Sequence, residues 1–114
     1  VVDDSATALS DASLNLLTSS LEGFGMTILE AACSGIPSIA FDCSEGVRSQ
    51  LEDGAGYLVP ASDETAYVEA LRAAMTNDEE RARRADRALT RSRSYDPAII
   101  TARWVGLFNT LRCR

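Results

Sequence analysis

The chain has 114 residues, 46% of them apolar, which is enough for one domain with a core and short for a complete two-substrate enzyme. Seventeen acidic against eleven basic residues leave a net charge of −6, which weighs against a nucleic-acid-binding surface. No apolar run approaches the roughly 20 residues of a membrane helix, and no signal-peptide pattern is read before the first element.

In chain order, Ser5 to Asp11 reads as the end of a helix or a loop, and Leu14 to Thr18 as a buried strand. A glycine-rich turn then leads into a helix over Met26 to Ser34, with Gly35 as its stop and Pro37 barring continuation. Cys33 falls on the apolar stretch of that helix and is expected in the core as a small residue. Ser38 to Phe41 is a second buried strand, so strand, helix and strand form a parallel βαβ unit with a right-handed crossover.

Gly46 to Glu52 can form a short helix with Val47 and Leu51 on one face, followed by a turn over Asp53 to Gly56. Tyr57 to Val59 is a third strand ended by Pro60. Ser62 or Asp63 caps a helix that carries Tyr67, Val68, Leu71 and Met75 on one face and ends near Asn77. Asp78 opens an Arg-rich helix to about Ser92, where pairs such as Glu79–Arg83 and Glu80–Arg84 fit a solvated surface; a polyanion-binding role is the alternative. Pro97 starts a last helix, whose Trp104 and Phe108 are expected in core or interdomain packing, the second of which leaves part of that face exposed in this chain alone. Three strands are few for an open parallel sheet, which suggests part of a larger unit. The fold class is therefore α/β: a partial Rossmann-like domain, with a short parallel sheet and flanking helices.

The chemistry concentrates in Glu22-Gly23-Phe24-Gly25-Met26-Thr27-Ile28-Leu29-Glu30. A strand-to-helix turn aims unpaired N–H groups and a positive dipole end at one point, which suits a phosphate. Carboxylates on either side suit a ligand that also carries hydroxyls, and a nucleotide-sugar meets both demands. Asp42, Glu45 and Gly46 follow the second strand; they either border the same sheet edge or are solvated loop residues. Cys33, Cys43 and Cys113 lack metal-like spacing and the chain has no His, so neither a metal site nor a His-dependent triad is expected, and the thiols are read as reduced.

Ser19 to Ala32, followed by Gly35-Ile36-Pro37, resembles the E-x7-E segment of retaining family 4 glycosyltransferases. Leu51 to Pro60 is similar to the Asp-Gly-x-Gly stretch that follows it in that family. The resemblance implies the GT-B fold, with this chain as the later part of the C-terminal, donor-binding domain and the N-terminal acceptor domain absent. It implies that Glu30 binds the nucleotide ribose and that the Met26 and Thr27 amides face the diphosphate, with the Thr27 hydroxyl as an extra donor. Glu22, with the Gly23–Gly25 backbone including Phe24, would contact the transferred sugar, Glu22 acting as the catalytic residue.

The implied partners are a UDP- or GDP-sugar and the parent's own N-terminal domain, with no nucleic acid and no cofactor. The parent is expected in the cytoplasm or at the inner face of the membrane. Thr18 to Ser20 and Phe41 to Gly46 look similar to enzymes that α-glucosylate polyol-phosphate polymers of the cell wall. The family also carries an upstream Arg/Lys pair that neutralises the diphosphate. This chain has no Lys and no Arg before Arg48, so turnover by the fragment alone is not expected. A non-catalytic nucleotide-sugar or phosphate-binding module, and an α/β interaction domain without ligand, are the alternatives.

Overall fold

The computed structural model describes residues 5–112. Cys113 lies outside them. After a short helix α1 (Ser5–Leu9), three strands β1 (Asn15–Leu17), β2 (Ser38–Phe41) and β3 (Tyr57–Val59) form one parallel sheet in the order β1-β2-β3. Register pairs Leu16 with Ile39 and Ala40 with Leu58. Helices α2 (Met26–Cys33) and α3 (Glu45–Leu51) connect the strands; α4 (Glu64–Thr76), α5 (Asp78–Ser92) and α6 (Pro97–Arg112) follow.

All four residues of β2 are buried, as a central parallel strand covered on both faces requires. Alternation along the strands separates two cores. Ile39, Phe41, Tyr57 and Val59 meet Tyr67 and Ala74 of α4 on one face. Ala40, with Leu17 and Leu58, meets Ile28 of α2 and Val47 and Leu51 of α3 on the other. The buried Tyr67 hydroxyl donates to the Ile39 carbonyl at 3.1 Å, and burial pushes its phenol above the ordinary range.

The element order and types follow the sequence reading, but several burial expectations are corrected. β1 is an edge strand and only partly buried, with Leu16 exposed. Cys33 is exposed, because α2 turns Ile28, Ala31 and Ala32 inward and its last residue falls outside that stripe. On α4 the inward face runs through Tyr67, Ala70, Leu71 and Ala74, which leaves Val68 and Met75 in solvent. α6 has no buried residue, and Trp104 and Phe108 stack at 5.7 Å on an exposed surface; this removes the core alternative for the pair and agrees with the exposure expected of a face kept for interdomain packing.

The arginines of α5 tie this helix to the rest. Arg81 Nη1 donates to Ala74 O of α4 at 2.7 Å, and Arg84 donates to Gly56 O while lying 4.2 Å over the Tyr57 ring. Arg87 donates to Asp53 O at 3.0 Å and Arg91 to Ser49 O at 2.6 Å. These carbonyls lie near the ends of helices or in turns, where the guanidinium forks of α5 reach them. Of the expected pairs, Glu80–Arg84 forms at 2.8 Å, while Arg83 pairs with Glu80 and not with Glu79.

Candidate functional site

Parallel strands carry their C-terminal ends to one edge, and the loop leaving β1 there returns into α2. Gly25 is the N-cap of α2 at φ 79°, ψ 62°, a left-handed conformation that a side chain would strain. Its carbonyl accepts from Ile28 N–H at 3.0 Å, and no side chain caps the helix. The Met26 and Thr27 N–H groups meet no acceptor among the described residues. They stand at the positive end of the α2 dipole, an arrangement that favours an anion.

The residues expected to serve the site share this loop and the helix that follows. Glu22 is partly buried, Glu30 is exposed on the second turn of α2, and Met26 and Thr27 are exposed at its start. Gly23 is exposed, and a Cβ built there would meet no protein atom within 4 Å. Phe24 is held edge-on against Tyr95, ring centroids 5.2 Å apart, which anchors the loop to the turn before α6. Glu22, Gly23, Phe24, Gly25, Met26, Thr27 and Glu30 are therefore contiguous around one helix terminus.

A second layer comes from α3 and was not foreseen in this role. Ser44 caps α3 by accepting from Val47 N–H at 3.2 Å, and its hydroxyl donates to Gly23 O at 3.0 Å. Gln50, 5% exposed, donates from Nε2 to Phe24 O, to Gly25 O at 3.4 Å and to Gly46 O at 3.3 Å. Gly46 lets the two backbones touch, since a Cβ there would press on Gly23 O and lie 2.6 Å from Phe24 Cα. Serine three residues before a helical valine was readable as a cap. A single Gln between Val47 and Leu51 gave no such signal.

Asp42 follows β2 at the same edge. Its Oδ2 accepts from Arg48 Nε at 3.2 Å and Nη2 at 3.0 Å; the buried Oδ1 lies 3.0 Å from Nη2 but outside hydrogen-bond alignment. Arg48 also pairs with Glu45 at 2.9 Å. The Asp42 hydrogen bond, with the charges of Asp42 and Glu45, holds the Arg48 proton more tightly than usual. Asp42, half-buried, is thus tied to Arg48, while Glu45 and Arg48 are exposed, so the three form a largely solvated ion cluster at this edge. Among the described residues no three His, Cys, Asp or Glu side chains converge to hold a metal. An open groove of about 510 Å³ on α5 includes Asp53, Asp86, Arg87 and Arg91, but its arginines are already committed to Asp53 O and Ser49 O.

Residues 2–91 match the family described as glycosyl transferases group 1. This chain belongs to that family. As a group 1 glycosyl transferase sequence, it is 34% identical over 91 residues to a phosphatidyl-myo-inositol mannosyltransferase of Mycobacterium leprae, covering 79% of this chain and 24% of that protein. It is 30% identical over 93 residues to the amylovoran biosynthesis glycosyltransferase AmsD of Erwinia amylovora, covering 82% and 26%. A 50-residue stretch is 48% identical to the GtfA subunit of a UDP-N-acetylglucosamine–peptide N-acetylglucosaminyltransferase of Streptococcus pneumoniae, covering 43% and 10%. The chain spans about a quarter or less of the length of these relatives. The three-stranded parallel sheet with flanking helices is the partial Rossmann-like GT-B architecture expected for this family. Among the described residues no helix is long and apolar enough to cross a membrane.

Proposed function

We propose that this chain is the later part of the nucleotide-sugar-binding domain of a retaining, family 4 glycosyltransferase, and that the β1–α2 loop is half of its donor site. The observation that carries the proposal is the uncapped start of α2 behind a left-handed Gly25, flanked by Glu22 and Glu30 at the C-terminal sheet edge. The Met26 and Thr27 amides hold the diphosphate, with the Thr27 hydroxyl as a further donor. Glu30, one turn on, accepts from the ribose hydroxyls; Glu22 and the Gly23–Gly25 backbone engage the transferred sugar and, through the Phe24 and Gly25 amides, the phosphate that joins it to the nucleotide.

In the reaction, the bond from the anomeric carbon to the diphosphate breaks while an acceptor oxygen bonds to that carbon on the same face. The acceptor proton passes to the departing phosphate. This chain's share of the work is positioning and charge stabilisation of the leaving group. The relatives' names span a peptide, a phospholipid and, in a Salmonella typhimurium relative, a lipopolysaccharide, so glycosyl transfer is what they share and the acceptor is what differs. That division fits a chain that handles the donor, while the acceptor and the cations facing the diphosphate come from the rest of the parent. The phospholipid and lipopolysaccharide names also give the parent a reason to work at the inner membrane face.

Calorimetric titration of the full-length parent with UDP, GDP and ADP tests the reading; no heat from any of them overturns it. Glu30→Ala weakens nucleotide binding by about 10–100-fold, as loss of charge-assisted hydrogen bonds of about 1.5–3 kcal/mol requires. Glu22→Gln lowers turnover and leaves nucleotide affinity within about twofold. Unchanged kinetics in both variants remove these two roles, and binding without transfer favours a non-catalytic module.

A further inference from the structure

We propose that α3 aims the anion-binding amides of the β1–α2 loop, with Gln50 as the positioning residue and Ser44 as its helper. The proposal rests on the donor-site reading and adds a residue outside the glutamate–glycine segment to it.

Three consecutive carbonyls of the loop are held from the α3 side. Ser44 Oγ donates to Gly23 O at 3.0 Å, and Gln50 Nε2 donates to Phe24 O and to Gly25 O at 3.4 Å. No peptide bond among the described residues is cis, and in a trans peptide the N–H points opposite to its C=O. Fixing those three carbonyls towards α3 therefore turns the N–H groups of Phe24, Gly25 and Met26 away from it. None of the three meets an acceptor among the described residues. Successive amides facing one way form a concavity suited to an anion, and here it adjoins the positive end of α2.

Gln50 suits the task in a way its neighbours do not. It lies between the core residues Val47 and Leu51, where an apolar side chain would avoid burying an amide. Its two amide hydrogens serve the carbonyls of Phe24, Gly25 and Gly46, so it ties the loop to the first turn of its own helix. A leucine of similar bulk would keep the packing and lose every one of these bonds. A glutamate would face the same carbonyl oxygens with negative charge.

The test uses the full-length parent, inorganic pyrophosphate as probe, backbone amide resonances and calorimetry. Pyrophosphate shifts the Phe24, Gly25 and Met26 amides of the unaltered protein. Gln50→Leu weakens pyrophosphate about tenfold or more and diminishes those shifts. It leaves affinity for the nucleoside lacking phosphates within twofold, a split that general loosening of the site would not produce. Equal weakening of both ligands overturns the proposal. So does unchanged pyrophosphate affinity with unchanged amide shifts, and in that case nucleoside diphosphate binding still upholds the donor site. If Gln50→Leu does not fold, the unaltered protein decides, and pyrophosphate that leaves those three amides unmoved overturns the proposal. A parent that binds no nucleotide and no pyrophosphate removes the donor reading as well.

Discussion

Gly46→Ala probes whether α3 and the donor loop are built as one unit. The added Cβ would press on Gly23 O and lie 2.6 Å from Phe24 Cα and 3.2 Å from Gly23 C. All three are backbone atoms, so no flexible side chain can swing aside. Overpacking of this kind costs about 1–3 kcal/mol. If the loop retreats instead, the Ser44–Gly23 and Gln50–Phe24 hydrogen bonds are lost, at about 1 kcal/mol each. Alanine returns at most about 1 kcal/mol of helix propensity, and less at the second residue of α3. The net expectation is a loss of about 1–2 kcal/mol, lowering the thermal midpoint of a chain this size by about 4 °C per kcal/mol. Nucleoside diphosphate affinity falls as well, because the amides lose their aim. Gly23→Ala is the matched control: its Cβ would meet nothing in the protein, so the midpoint holds within about 1 °C while a ligand lying against the loop is impeded. Thermal unfolding followed by circular dichroism, with calorimetry on the same samples, reads both. An unchanged or raised midpoint in Gly46→Ala would refute the backbone contact from which this reasoning starts.

Two further outcomes follow from the arginine helix. Arg91→Ala removes bonds to Ser49 O at 2.6 Å and Asp53 Oδ2 at 2.8 Å and destabilises by about 1–3 kcal/mol in denaturant unfolding; exposed Arg83→Ala stays within about 0.5 kcal/mol. Equal effects would mean that α5 is held by its charge and not by its carbonyl contacts. Glu80 has its pKa lowered, first by the Arg83 hydrogen bond and further by Arg84, so its contribution is present above the unfolded carboxyl range and is lost as pH falls through the folded value. Glu80→Gln is accordingly slightly less stable than the unaltered protein at pH 7, and the gap closes below about pH 4. A gap that widens on acidification would contradict the sign.

Much of the fold was legible because its signals are local. Gly35 and Pro37 end α2, Asp63 caps α4 through Ala66 N–H at 2.9 Å, and Pro97 opens α6, each by backbone chemistry that one residue dictates. Burial was less legible because it depends on which neighbour arrives. Cys33 and Met75 look like core residues in an apolar stretch, yet a single residue step of about 100° around a helix decides between core and solvent. The apolar positions of α6 left core and interdomain packing open, and the structure, where this helix meets chiefly the turn over Arg93–Tyr95, decides only against the core. Arg81, Arg84, Arg87 and Arg91 read as surface charge, and only the structure sets carbonyls within their reach.

The site divides along the same line. The half proposed to face the ligand is contiguous, Glu22 to Glu30, so turn chemistry and a family resemblance could suggest it from the sequence. Its supporting half comes from Ser44, Gly46 and Gln50, more than twenty residues away in the chain and joined only by the close approach of α3. An amide that must point at a phosphate cannot hold its own direction, because a glycine on either side of Phe24 leaves the peptide planes there free to rotate at little cost. The carbonyl on the other side of that plane is where the structure can exert control, and it is there that Ser44 and Gln50 bond. A loop of this kind is therefore best judged by what holds its carbonyls, and in this chain that points to Gln50, a residue with no motif around it.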